Sequence, residues 1–203
     1  LVATSSFVGA ALVGGYFLSR MFSVLMPLVA YGAIAIVLYT PVLAKVHGLS
    51  ELVAGSGFGL MGLGTYVTQA GAIESTGVAV FVPVTILVAM LLFLNEFPDA
   101  EIDRMAGRRH LVILLGKRKA AYLYVAFLSG TYASIILSVA SRTTPMLVLI
   151  SLATVPVAYK AARTVLGNYD QTPGLIPALG MNVIIILTTI FLLGIGFLAS
   201  TYL

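Results

Sequence analysis

Three polar side chains at equal spacing mark the part of this sequence best suited to chemistry. Asn95, Asp99 and Asp103 lie four residues apart in the stretch NEFPDAEIDRMAGRRH. On an α-helix this spacing keeps the three side chains on one face, with a drift of about 40° per step. Amide and carboxylate oxygens are ligands that Mg²⁺ prefers, and protein-bound Mg²⁺ usually completes its shell with water and substrate phosphates. The spacing therefore predicts a Mg²⁺ site that takes a diphosphate.

Positive charge follows the acidic residues closely. Six of the eleven Lys and Arg residues lie between positions 104 and 119, and Arg104, Arg108 and Arg109 come directly after the acids. The alternative interpretation is a solvated loop in which carboxylates only balance arginines. Pro98 lies between the acids and argues against one continuous helix, although proline is tolerated in a first turn.

The rest of the chain has the composition of a membrane protein. Hydrophobic residues make up 60% of it and charged residues 9%, and the mean hydropathy is +1.09, which excludes a soluble surface. A helix needs about 20 apolar residues to cross the hydrocarbon core. Seven such stretches occur, and the predicted helices are 1–19, 21–40, 49–70, 75–97, 119–140, 145–166 and 177–202.

Apolar runs of this length are unlike the short alternating strands of a membrane barrel. The predicted fold is an all-α, multi-pass transmembrane helix bundle that forms one domain over residues 1–203. The absence of Cys excludes disulfides and thiol chemistry. The small-residue runs GSGFGLMGLG and LLGIGFLAS predict close helix packing.

Lys and Arg are distributed unequally between the two sides of the predicted bundle. Arg20 and Arg142 lie on one side, and the other nine lie on the opposite side: Lys45, Arg104, Arg108, Arg109, Lys117, Arg118, Lys119, Lys160 and Arg163. The richer side is expected to face the cytoplasm. This orientation places the N-terminus and a polar loop from Phe97 to Lys119 in the cytoplasm, and it explains the net positive charge without a nucleic-acid partner.

The segment NEFPDAEIDRMAGRRHLVILLGKRKA carries a longer pattern than the acidic residues alone. Two acids, a glycine, an arginine and a leucine-rich turn ending in glycine recur in order at Asp99, Asp103, Gly107, Arg109, Leu111, Leu115 and Gly116. This pattern resembles the second aspartate-rich motif of the UbiA superfamily of intramembrane prenyltransferases, with Asn95 in place of the first acid. The stretches YTPVLAKVHGLSEL and GLGTYVTQAG look like the branch that prenylates 1,4-dihydroxy-2-naphthoate.

The resemblance covers essentially the whole chain and implies a nine-helix fold, in which the seven predicted helices correspond to helices three to nine. The first Asn/Asp-rich motif of the family does not occur in these residues, so we expect helices one and two to precede Leu1. The implied activity is Mg²⁺-dependent transfer of a prenyl group from an isoprenyl diphosphate to an aromatic, quinone-precursor-like or other lipophilic acceptor in the cell membrane.

The resemblance also implies roles for individual residues. Asn95, Asp99 and Asp103 would be the catalytic metal ligands, and Arg104 and Arg109 would bind the departing diphosphate.

Tyr39 and Lys45 lie near the place where the family carries a Tyr and Lys pair that faces the diphosphate, although their spacing departs from the usual four residues. Lys45 can equally be a snorkelling anchor. Gln69 and Asn182 are candidates for the acceptor or prenyl pocket, with helix packing as the alternative for both. His47 is expected to be an interfacial loop residue.

Three other functions remain open at this level. An ion-coupled transporter would place acidic residues near the middle of the membrane rather than at one face. A phosphotransferase of the alcohol phosphatidyltransferase type also spaces aspartates by four residues, but the Asp-Gly and Ala-Arg elements that precede them are not found in this sequence. Within the family, a geranylgeranylglyceryl phosphate geranylgeranyltransferase is the remaining alternative.

Overall fold

The computed structural model describes residues 2–46 and 48–202, and in this part of the chain it is all-helical. The α-helices, numbered in chain order, are α1 (Val2–Arg20), α2 (Phe22–Leu38), α3 (Leu49–Ala70), α4 (Ser75–Met105), α5 (Leu111–Leu115), α6 (Lys117–Ala140), α7 (Val155–Asn168) and α8 (Thr172–Ser200). Leu43–Lys45 and Met146–Thr154 are 3₁₀ helices. The predicted all-α, multi-pass bundle is confirmed. The prediction for His47 falls outside the described residues.

Most of these helices have the length and composition of membrane spans. Among the described residues, five segments qualify on both criteria: α1, α4, α6, the combined segment Met146–Asn168, and α8. Helix α2 is apolar but has only 17 residues. Helix α3 has 22 residues, but with its glycines, hydroxyl side chains and Glu51 it is not among these five spans.

Helix α4 lies at the centre of the bundle, between α3 and α6, and it also contacts α8. Phe93 of α4 is fully buried and packs edge-to-face against Phe97 and Phe127, with ring centroids 5.6 and 5.3 Å away. Edge-to-face aromatic contacts favour a defined orientation. The helix that carries the acidic residues is therefore fixed by its neighbours.

The interface between α3 and α4 depends on glycine, as the small-residue run predicts. A Cβ at Gly55 would collide with the backbone oxygen of Thr85, and one at Gly59 would collide with the Thr85 hydroxyl. In a membrane, small residues let two helix backbones approach closely and gain dispersion contacts. The glycines thus bring the N-terminal turn of α3 against the C-terminal part of α4.

The predicted loop from Phe97 to Lys119 is wrong over three stretches. Helix α4 continues through Pro98 to Met105, residues Leu111–Leu115 form α5, and α6 already begins at Lys117. The prediction ended α4 where its apolar run ended, but a helix that leaves the hydrocarbon core still satisfies its own backbone hydrogen bonds. Pro98 removes one of these bonds without ending the helix.

Helix α8 begins at Thr172, five residues before its predicted start. Pro173 lies in its first turn, where a missing backbone N–H has no cost.

Candidate functional site

The predicted ligand residues share one continuous helix. Asn95, Asp99 and Asp103 all lie on α4, so the four-residue spacing does align them as the sequence predicts. Asn95 and Asp99 are exposed, and Asp103 is partly buried. Their oxygens thus face the open side of α4 and not the core around Phe93.

Asp103 is held by two groups from the connection after α4. Its Oδ2 atom lies 3.3 Å from the guanidinium of Arg108 and 3.4 Å from Nε2 of His110. The Arg108 side chain is half exposed, so this ion pair contributes little to stability. Both contacts use Oδ2 and orient the carboxylate, which leaves Oδ1 for another ligand.

A buried cluster that the sequence did not single out lies beside Asp103. Glu51 from the start of α3, Glu96 from α4 and His110 are 1%, 5% and 2% exposed. Each of the three offers one ligand atom, and these atoms all lie within 4.8 Å of one another. Burial lowers the pKa of His110, with the neighbouring acids acting in the opposite direction. The one sequence signal for the cluster is that Glu51 and Glu96 are carboxylates within mainly apolar helices.

Glu51 also attaches the connection after α4 to α3. Its Oε1 atom accepts a hydrogen bond of 2.8 Å from the backbone N–H of Leu111, the first residue of α5. Its Oε2 atom accepts a hydrogen bond of 2.5 Å from the hydroxyl of Ser50. A helix start leaves backbone N–H groups without partners, so a carboxylate at this position is favourable.

Two glycines of the sequence motif shape this connection. Gly107 and Gly116 have φ values of +79° and +74°, and they bracket the segment that carries Arg108 and His110. Residues with a Cβ rarely adopt this region, so glycine is required at both turns.

A cavity of about 200 Å³ lies between the end of α2 and the connection after α4. Tyr39, Lys45 and Arg108 line it, so the structure brings two of the predicted diphosphate ligands together with a second basic residue, Arg108. Burial raises the pKa of Tyr39, which keeps its phenol a neutral hydrogen-bond donor. Arg104 and Arg109 are exposed. We call the end of the bundle that carries Tyr39, Lys45, Asp103 and Arg108 the basic end.

Asn95, Asp99 and Asp103 thus share one face of α4, and Arg108 connects Asp103 to a cavity that Tyr39 and Lys45 also line. Residues 1–182 match the sequence profile of the UbiA prenyltransferase family. The chain belongs to the UbiA prenyltransferase family. No curated protein and no solved structure shows significant similarity to it.

Membership in the UbiA family establishes the general activity. The protein is an integral membrane enzyme that transfers prenyl groups. UbiA enzymes generally use a divalent metal to bind the diphosphate, and their substrates are prenyl diphosphates and lipophilic acceptors.

The two predicted pocket residues of this UbiA chain do not line the cavity at the basic end. Gln69 is exposed near the opposite end of α3, about 27 Å along the helix axis from Glu51. It lines an apolar groove of about 490 Å³ between α1, α2 and α3. Asn182 is buried in the core, where its Oδ1 atom accepts a hydrogen bond of 3.2 Å from the Tyr124 hydroxyl. Its Nδ2 atom is buried without a hydrogen-bond partner among the described residues, so Asn182 stays a candidate both for the pocket and for helix packing.

Proposed function

We propose that this UbiA family member binds an isoprenyl diphosphate with Mg²⁺ at the basic end and transfers the prenyl group to an aromatic, quinone-precursor-like acceptor. Arg108 is the observation that carries the proposal. Its guanidinium pairs with Asp103 and also lines the cavity that Tyr39 and Lys45 share. The same residue therefore links the candidate metal ligands to the candidate diphosphate ligands.

The donor set fits Mg²⁺. Asn95, Asp99 and Asp103 offer oxygen atoms on the open face of α4, where water and phosphate oxygens have room to complete a shell. When bound, the metal neutralises the diphosphate charge and so promotes cleavage of the allylic C–O bond. Lys45 and Arg108 hold the departing diphosphate, and the Tyr39 hydroxyl donates a hydrogen bond to it. Positioned charges of this kind supply most of the stabilisation in such a reaction.

An apolar groove supports a long prenyl tail. Tyr39 lines the diphosphate cavity and also one end of a groove of about 410 Å³ between α2 and α3. This groove shares Gly32, Gly57 and Met61 with the groove that reaches Gln69. A tail that enters beside Tyr39 would thus lie against apolar surface along most of α3.

The acceptor class rests on the sequence resemblance to the dihydroxynaphthoate branch, which the segment containing Tyr39 and Lys45 carries. A glycerol-based lipid acceptor is the alternative within the family. The excess of Lys and Arg at the basic end supports an orientation in which this end faces the cytoplasm across the cell membrane.

Calorimetry on the detergent-purified protein tests the diphosphate site. We expect saturable binding of geranylgeranyl diphosphate that requires Mg²⁺ and is lost in Asp99→Ala. Glu101→Ala is the matched control, because Glu101 is an exposed acid two residues away on the same helix. Equal binding by the wild type and Asp99→Ala would refute the site. Absence of binding by the wild type would favour the ion-coupled transporter, which an ion-flux assay tests.

A further inference from the structure

We propose that Glu51, Glu96 and His110 form a second metal site, which binds one transition-metal dication such as Zn²⁺ or Mn²⁺ and is separate from the proposed Mg²⁺ and diphosphate site. The three residues come from α3, α4 and the connection before α5, and their ligand atoms lie within 4.8 Å of one another. Ligand atoms that share one ion at about 2.0 to 2.2 Å lie up to about 4.4 Å apart, so small side-chain rotations close the site.

The cluster contains buried polar atoms that a metal would satisfy. Among the described residues, Glu96 Oε2 and both ring nitrogens of His110 are buried without a hydrogen-bond partner. Burial of such atoms is unfavourable because they have lost their hydrogen bonds to water and form none within the protein. One ion bound by Glu96 Oε2 and a ring nitrogen of His110 would give both of these atoms a partner.

His110 is oriented as a metal ligand. Its Nδ1 atom faces Glu96 Oε2 at 3.5 Å, and its Nε2 atom faces Asp103 Oδ2 at 3.4 Å. Histidines that bind a metal through one nitrogen usually donate the other N–H to a carboxylate, which fixes the ring and its tautomer. Nδ1 would therefore bind the ion, and Nε2 would donate to Asp103.

The charges at the site also favour a dication. Three carboxylates, those of Glu51, Glu96 and Asp103, lie around His110, and Arg108 forms an ion pair with the Asp103 carboxylate. Two of these carboxylates, those of Glu51 and Glu96, are almost fully buried. A buried carboxylate is strongly unfavourable as an anion unless a cation pairs with it, and a bound dication would pair with both.

The ligand types indicate which class of ion binds. One imidazole and two carboxylates are a mixed nitrogen and oxygen set, typical of Zn²⁺, Mn²⁺ or Fe²⁺, whereas Mg²⁺ prefers oxygen alone. Three protein ligands leave one position for water, as in many zinc sites.

Co²⁺ titration of the purified full chain in detergent, after chelator treatment and without any diphosphate, tests the proposal. We expect one equivalent of Co²⁺ to bind with the intense visible bands of a four-coordinate ion, and metal analysis of untreated protein to find about one transition metal per chain. Glu96→Gln and His110→Phe should abolish these bands. Asp103→Asn should weaken Co²⁺ binding by about 10- to 100-fold through the lost orientation of His110.

Two controls separate this site from the diphosphate site. Asp99→Asn and Glu101→Gln should keep the Co²⁺ bands, although Asp99→Asn should lose diphosphate binding. Bands that disappear in Asp99→Asn but persist in Glu96→Gln and His110→Phe would overturn the proposal, because the ion would then lie at the diphosphate site. Absence of the bands in wild-type protein that still binds diphosphate would also overturn it and would leave the prenyltransferase site intact.

The wild-type spectrum keeps the test valid even if a ligand variant fails to fold. Gel filtration and thermal unfolding of each metal-free variant identify that failure. In that case the intensity of the wild-type bands decides, because a six-coordinate oxygen site gives only weak ones.

Discussion

Removal of the Glu51 carboxylate should release the connection that carries Arg108 and His110. Glu51 Oε1 accepts the backbone N–H of Leu111 at 2.8 Å across 60 residues of sequence. A hydrogen bond to a charged group contributes about 1.5 to 3 kcal/mol. In Glu51→Ala the closed form of the connection loses this stabilisation, so its opening equilibrium should rise by about 10- to 150-fold.

Hydrogen–deuterium exchange of the peptide that covers residues 106–115 measures this opening. The measurement belongs in chelator-containing buffer, so that loss of a bound metal does not contribute to the change in exchange. Glu51→Gln should raise the exchange rate by about tenfold or less, because its amide oxygen accepts the same N–H in a neutral hydrogen bond. Ser50→Ala is the matched control, since it removes the other hydrogen bond of this carboxylate and leaves Oε1 in place. Unchanged exchange in Glu51→Ala would refute the attachment of the connection to α3.

Three further predictions concern the turns, the helix interface and the cavity. Gly116→Ala should lower the free energy of unfolding by about 1 to 3 kcal/mol in thermal unfolding, because the backbone at Gly116 has φ +74° and ψ +150°. An unchanged melting temperature would contradict the requirement for glycine. Gly59→Ala should destabilise the protein by about 1 to 3 kcal/mol through overpacking against Thr85. A Cβ at Gly57 meets open space, so Gly57→Ala should be neutral or stabilising. Equal effects of the two substitutions on the melting temperature would contradict the packing argument. Lys45→Gln and Arg108→Gln should each weaken Mg²⁺-dependent diphosphate binding by about tenfold or more in calorimetry, without lowering the melting temperature. Unchanged affinity in both variants would exclude the cavity as the diphosphate site.

The sequence by itself determined the membrane bundle and the alignment of the acidic residues. Long apolar runs leave a helix as the only element that satisfies its own backbone in lipid, so the spans follow from composition and length. The positions of Asn95, Asp99 and Asp103 on one face follow from local helix geometry, which needs no tertiary contact. The same local reasoning ended α4 too early, since hydropathy reports where a helix leaves the membrane and not where it stops.

The tertiary structure decided which distant residues meet at the basic end. Glu51 lies beside Glu96 and His110 because α3 packs closely on α4 through Gly55 and Gly59. Tyr39 and Lys45 share a cavity with Arg108 because the segment after α2 lies against the connection after α4. Periodicity within one helix identifies a face but not the partner of that face. Glu51 has no acidic neighbour within its own helix, so its buried cluster is visible only once the helices are packed.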